Sequence, residues 1–192
     1  NMQINLRKAN AVQSEIKKAL NAIRLETSVT VTEFTENVDG TINKASSDLA
    51  AAMGQKRKLI SALFEIRTAV GRANSDASIG DILAAIEQID QEMAIVSTIT
   101  TLKARTALNE INARIEKAKA NTNERLSLYG DRLSVVETTV MYQGEIDAAK
   151  AEVKQMKRNK QALQDKLLQL NVNTLIELSA ETVATLKDEG IL

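Results

Sequence analysis

Histidine, cysteine and proline are all missing from this chain of 192 residues. Without His or Cys there is no Ser-His-Asp or Cys-His catalysis, no zinc site of the usual ligands and no Glu-x-x-His di-iron motif. The remaining chemistry is that of paired carboxylates, Ser-Lys dyads, Tyr and carboxylate-bound Mg²⁺. The Asp and Glu residues mostly fall one per helical turn beside Lys or Arg, a pattern of surface charge and not of a converging site. The lack of Cys also excludes disulfides and fits a reducing compartment. No run approaches the roughly 18 apolar residues of a membrane span, and no signal peptide is recognisable. Asn1 before Met2 reads as the remnant of a cleaved tag, and a cytoplasmic location is the expectation.

Aromatic residues make up only 2% of the chain, although 44% is hydrophobic. Ile, Leu, Val and Ala must therefore supply the core, which suits long helices packed side by side. With no Pro and seven Gly, helix breakers are scarce. Neither sign of charge dominates, since Lys plus Arg and Asp plus Glu both number 25. That balance argues against duplex nucleic acid as the main partner.

The apolar spacing predicts helices over about 6–25, 42–71, 79–128, 145–170 and 180–188. Asn5 and Ser179 are placed as N-caps and Gly190 as a stop. In the second helix the apolar side is outlined by Ile42, Ala45, Leu49, Met53, Ile60, Leu63 and Val70. Ile79, Ile82, Ile86, Ile89, Met93 and Val96 recur at alternating intervals of three and four, a coiled-coil seam. "STITT" (97–101) interrupts it, so 79–128 is either one helix with a stutter or two helices meeting there, ended by Gly130. Two β-branched segments, 27–34 and 133–142, read as short strands that pair with one another. "NVNTLIEL" (171–178) reads as extended or irregular, and "GRANSDAS" (71–78) as the clearest loop. Ser78 followed by Asp81 resembles a capping box.

The densest positive charge lies in "VKQMKRNKQALQDKLLQL" (153–170). Read as a helix, Ile146, Ala149, Val153, Met156, Lys160, Leu163, Leu167 and Leu170 form a seam with Lys160 as its one charged member. A polar residue at such a position costs stability but can fix register or partner number. Lys154 and Arg158 fall on the outer face. Glu145 and Glu152 flank the seam opposite Lys150 and Lys157, a complementary arrangement for a parallel dimer. The seams are expected to pack partly within the chain and partly between subunits. The basic cluster is read as a solvated face, because the aromatic neighbours that would stack on bases are missing; Lys56, Arg57 and Lys58 are read alike.

Two ligand motifs merit weighing. "TENVDGTINKAS" has a faint likeness to a calcium loop, but its end positions would be Thr35 and Ser46, which lack carboxylates, so it is a plain turn. Arg72, Asn74 and Ser75 precede the start of a helix, where free N–H groups and partial positive charge suit an anion. Asp76 and Asp81 oppose that reading, and the alternative is a helix–helix turn with Arg72 capping the preceding helix.

Three stretches in this order resemble the septicolysin-like family of small helical bacterial proteins: "LRKANAVQSEIKKAL", "AVGRANSDASIGDILAAIEQID" and "MKRNKQALQDKLLQLNVNTLIEL". The resemblance spans most of the chain. Its middle stretch is the most telling, since the family carries an Arg-x-Asn loop before a capped helix, matched by Arg72 and Asn74. Val172 departs from it, standing where the family often has an aromatic. The resemblance implies a helical fold and self-association. It does not transfer pore formation, against which the lack of a lytic apolar segment also speaks.

The expectation is an all-α, long-helix coiled-coil bundle with a minor two-stranded β element, in one domain spanning 2–192. Its expected role is that of a non-enzymatic homo-oligomeric binding or scaffolding protein, with no cofactor, no metal and no membrane partner. The alternative is an oligomer that sequesters a small phosphate-bearing ligand of nucleotide type at subunit interfaces, as a viral counter-defence protein would, through Arg72, Asn74, Ser75 and Lys160.

Overall fold

A computed structural model describes residues 2–125 and 136–192. In chain order the elements are β1 (Met2–Asn5), α1 (Leu6–Ala22), α2 (Val38–Asp76), α3 (Ile79–Thr100), α4 (Leu108–Arg125), α5 (Gln143–Asn173), β2 (Leu175–Leu178) and α6 (Ala180–Asp188). The fold is mostly α with a minor antiparallel sheet. The chain divides into two compact units, residues 1–83 with 164–192 and residues 84–163.

In the first unit, β1 pairs antiparallel with β2, Met2 opposite Leu178 and Asn5 opposite Leu175. The Leu6 amide continues the pairing by donating to the Thr174 carbonyl at 3.1 Å. Asn5 also turns the strand into α1, its Oδ1 accepting the Lys8 amide at 2.8 Å. The sheet, α1 and α6 close on the middle of α2. Leu59, Ala62, Leu63 and Ile66 meet Leu6, Ala9, Val12 and Ile16 of α1, Ile176 and Leu178 of β2, and Leu186 of α6. Every one of these is aliphatic, and each fully buried Leu or Ile contributes about 1.5–3 kcal/mol.

In the second unit, α3 and α5 run antiparallel. Lys160 meets Asp90, while beyond the end of α3 the Arg105 amide donates to the Met141 carbonyl at 2.7 Å. Thr139 Oγ1 donates to the Lys103 carbonyl at 2.6 Å beside it. Ile146 and Ala149 are the buried apolar residues of α5 here. Glu145 reaches back to accept the Tyr142 amide at 2.8 Å, one half of a capping box at the start of α5.

Several sequence expectations change. Residues 27–34 form no strand: Val29 and Val31 are exposed, and β-branched alternation makes a strand only where a neighbour supplies hydrogen bonds and a buried face. Of 133–142, residues 133–135 and Gly130 lie outside the described residues, and 136–142 are irregular. The sheet forms instead from 2–5 and from part of the stretch read as extended or irregular. The loop expected at 71–78 is helical as far as Asp76, because Ala73 and Ala77 pack against the core and reward another turn. Of the two readings of 79–128, the structure has the two helices, α3 and α4, separated at 101–107 and not one helix with a stutter. Thr98 and Thr100 donate their hydroxyls to the Ile95 and Ser97 carbonyls, giving the backbone an alternative to continued helix.

Ser78 departs from the capping-box reading. It has φ 51°, in the left-handed region, and links α2 to α3 where an N-cap would be extended. At the other end of the first unit Gly190 has φ 67°. There the Gly190 amide donates to the Lys187 carbonyl at 3.0 Å and the Ile191 amide to the Leu186 carbonyl at 2.8 Å. That double bond pattern is a Schellman closure, and it folds Ile191 back onto the core. Because left-handed backbone costs a side-chain-bearing residue about 1–2 kcal/mol, thermal melting should show opposite effects at the two sites. Ser78→Gly is expected to be neutral or stabilising by up to about 1 kcal/mol, Ser78→Val clearly destabilising, and Gly190→Ala destabilising by about 1 kcal/mol.

Candidate functional site

The eight seam positions of α5, from Ile146 to Leu170, are all buried or half-buried, whereas the other residues between them are exposed. The seam is therefore covered by the chain itself. Lys154, Lys157 and Arg158 are exposed, as the solvated-face reading expects. Lys160 Nζ donates to both carboxylate oxygens of Asp90, at 2.6 and 2.7 Å. The two side chains retain 26% and 43% of their exposure, so the pair is partly desolvated. This is the arrangement of a register device: an inward charge that has one acceptor in one alignment of the two helices.

Arg72, Asn74 and Ser75 belong to the first unit and Lys160 to the second. All three lie in the closing turns of α2. Arg72 and Ser75 are exposed and Asn74 is half-buried. Their surroundings include the carbonyl end of a helix, the negative pole of its dipole; the Ser75 carbonyl accepts the Ser78 amide at 3.1 Å.

A second polar cluster was not foreseen. Glu65, on α2, receives the Ser179 amide at 2.7 Å on Oε1. Its Oε2 receives the Ser179 hydroxyl at 2.8 Å and the Thr182 hydroxyl at 2.6 Å. Ser179 Oγ in turn accepts the Thr182 amide at 3.2 Å as the N-cap of α6. A carboxylate from another helix thus sits at the positive end of α6 and takes its first donors. Burial raises the affinity of Glu65 for a proton, but the bonds from the Ser179 amide, the Thr182 hydroxyl and the Ser179 hydroxyl outweigh it, holding its pKa below the ordinary 4.5. Only the Ser179 cap was visible in the sequence, because Glu65 is 114 residues from Ser179. Among the described residues no group of three or more carboxylates could hold a metal ion, and no helix is long and apolar enough to cross a membrane.

The third feature is apolar. The inward face of α2 runs through Ala45, Leu49, Ala52, Leu59, Leu63, Ile66 and Val70. Rotated about 100° from that line, Ile42, Met53, Ile60 and Phe64 keep 46%, 38%, 44% and 56% of their surface. The apolar side expected for this helix is therefore two stripes, one buried and one open. The offset between Ile60 and Leu63 was legible in the spacing, since residues three apart are turned by 300°. Arg67 lies over the open Phe64 ring at 5.2 Å.

In comparisons with family models, characterised proteins and solved structures, none matches this chain.

Two outcomes are expected. Glu65→Ala should cost about 1–3 kcal/mol in chemical denaturation, because it strands the buried Thr182 hydroxyl. Since the native pKa is lowered, the unfolded chain takes up the proton first as pH falls. The Glu65 contribution is full above about pH 4.5 and fades as pH drops through the lower native value, so the parent and Glu65→Gln should converge in acid. For the Lys160 pair, the double replacement Lys160→Leu with Asp90→Ala should leave stability within about 1 kcal/mol or raise it, whereas Lys160→Asp should lower it by more than that.

Proposed function

We propose that this protein is a non-enzymatic helical scaffold that works as a homo-oligomer. The observation that carries the reading is the open stripe of α2. The seam of α5 and the inner face of α2 are used inside the chain, yet Ile42, Met53, Ile60 and Phe64 remain on one exposed side of a 39-residue helix. Aligned exposed apolar residues of this kind mark interaction surfaces. Burying a half-exposed Ile or Phe gains about 1 kcal/mol, so several together can support association. The resemblance to the septicolysin-like family supports the same reading, because it implies self-association.

The residue types agree with a non-catalytic role. His and Cys are missing. Glu65 is bonded to three donors that fix α6 in place. Lys160 is bonded to Asp90.

Multi-angle light scattering at micromolar concentration should give a mass that is an integer multiple, above one, of 21.0 kDa. Ile60→Lys combined with Phe64→Lys should shift it toward the monomer while the far-UV helical signal is kept. A monomeric parent at these concentrations would overturn the proposal.

A further inference from the structure

The open stripe of α2 also carries an arrangement of charge that selects its partner. Within α2, residues 38–48 carry Asp39 and Asp48 against Lys44, and residues 56–76 carry five basic side chains against Glu65 and Asp76. The helix is thus acidic toward its start and basic toward its end. A parallel pairing of two α2 helices would set like charges together, and an antiparallel one sets opposite charges together.

The apolar residues have the same symmetry. Ile42 and Phe64 each stand eleven positions from Met53, and Asp39 and Arg67 each stand fourteen. Eleven residues are about three helical turns and fourteen about four, so all five positions fall near one side of the helix. Asp39 and Arg67 are exposed. Within the chain, Asp39 Oδ2 accepts the Asn43 side-chain Nδ2 at 3.1 Å and Arg67 lies over Phe64; neither contact uses the whole of its charge.

We infer that the occupant of this stripe is a second copy of the chain, docked antiparallel about a two-fold axis at Met53. Met53 meets its own counterpart, Ile42 packs on Phe64 of the other copy, and Asp39 pairs with Arg67 at both ends. The interface is isologous and closes at two subunits for this surface. The inference rests on the homo-oligomer reading and adds to it the surface, the direction and the register.

Because the chain has no Cys, single-cysteine cross-linking is unambiguous. In the full-length protein, Met53→Cys should give a covalent dimer on mild oxidation, whereas Ser47→Cys, exposed on the far side of α2, should not. Asp39→Arg and Arg67→Asp should each raise the dimer dissociation constant about tenfold or more. The double variant carrying both, or an equimolar mixture of the two single variants, should recover the parent affinity. That recovery separates a lost pairing from damage to the helix. If the parent is oligomeric but Met53→Cys fails to cross-link, the docking surface is wrong while the scaffold reading stands. If the cross-link forms but the charge swap gives no recovery, the antiparallel register is wrong. If the parent is monomeric in light scattering, both readings fall.

Discussion

Two turns of one helix, Leu59 to Ile66, hold the first unit together. α1, the sheet and α6 all press on this one patch, and none of the side chains involved carries a ring. A core made only of branched aliphatics gains its energy from many small contacts, so it needs length and close alignment.

Polar groups divide the remaining labour. Hydrophobic packing is tolerant of small shifts along a helix, since one aliphatic residue can replace another at the next turn. Glu65 and Lys160 are not tolerant. Glu65 gathers donors from Ser179 and Thr182 only when α6 starts at one point against α2. Lys160 finds both oxygens of Asp90 only in one alignment of α5 with α3. Each unit thus has one ionised group that fixes position, set beside a seam that supplies most of the stabilisation.

Much of this was legible before the fold was known. The eight-residue seam of α5, the caps Asn5 and Ser179 and the stop at Gly190 all follow from local spacing and residue type, and each holds. The sheet was foreseen in kind but misplaced. "MQIN" is too short to show alternation, and its partner Leu175–Leu178 lies at the far end of the chain. Val29 and Val31 have strong strand propensity and no strand beside them. The helical extension through Arg72 to Asp76 was hidden because Gly, Asn and Ser read as loop, while the deciding term was the packing of Ala73 and Ala77. The likeness of Ser78 and Asp81 to a capping box likewise gave way to a left-handed turn. Glu65 and the open stripe belong to the same class: tertiary placement alone decides which carboxylate is shielded and which of two adjacent apolar lines is covered.

The pairing of Met2–Asn5 with Leu175–Leu178 has a consequence for how the chain comes into being. At a synthesis rate of roughly 5–20 residues per second, β1 waits about ten to thirty seconds for its partner. α1 and α2 can meet early, since they are neighbours in the chain. The patch at Leu59 to Ile66 nevertheless keeps only part of its cover until β2 and α6 leave the ribosome. During that interval the nascent protein displays an adhesive aliphatic strip beside the outer stripe of α2, and on a polysome other growing chains display the same strips.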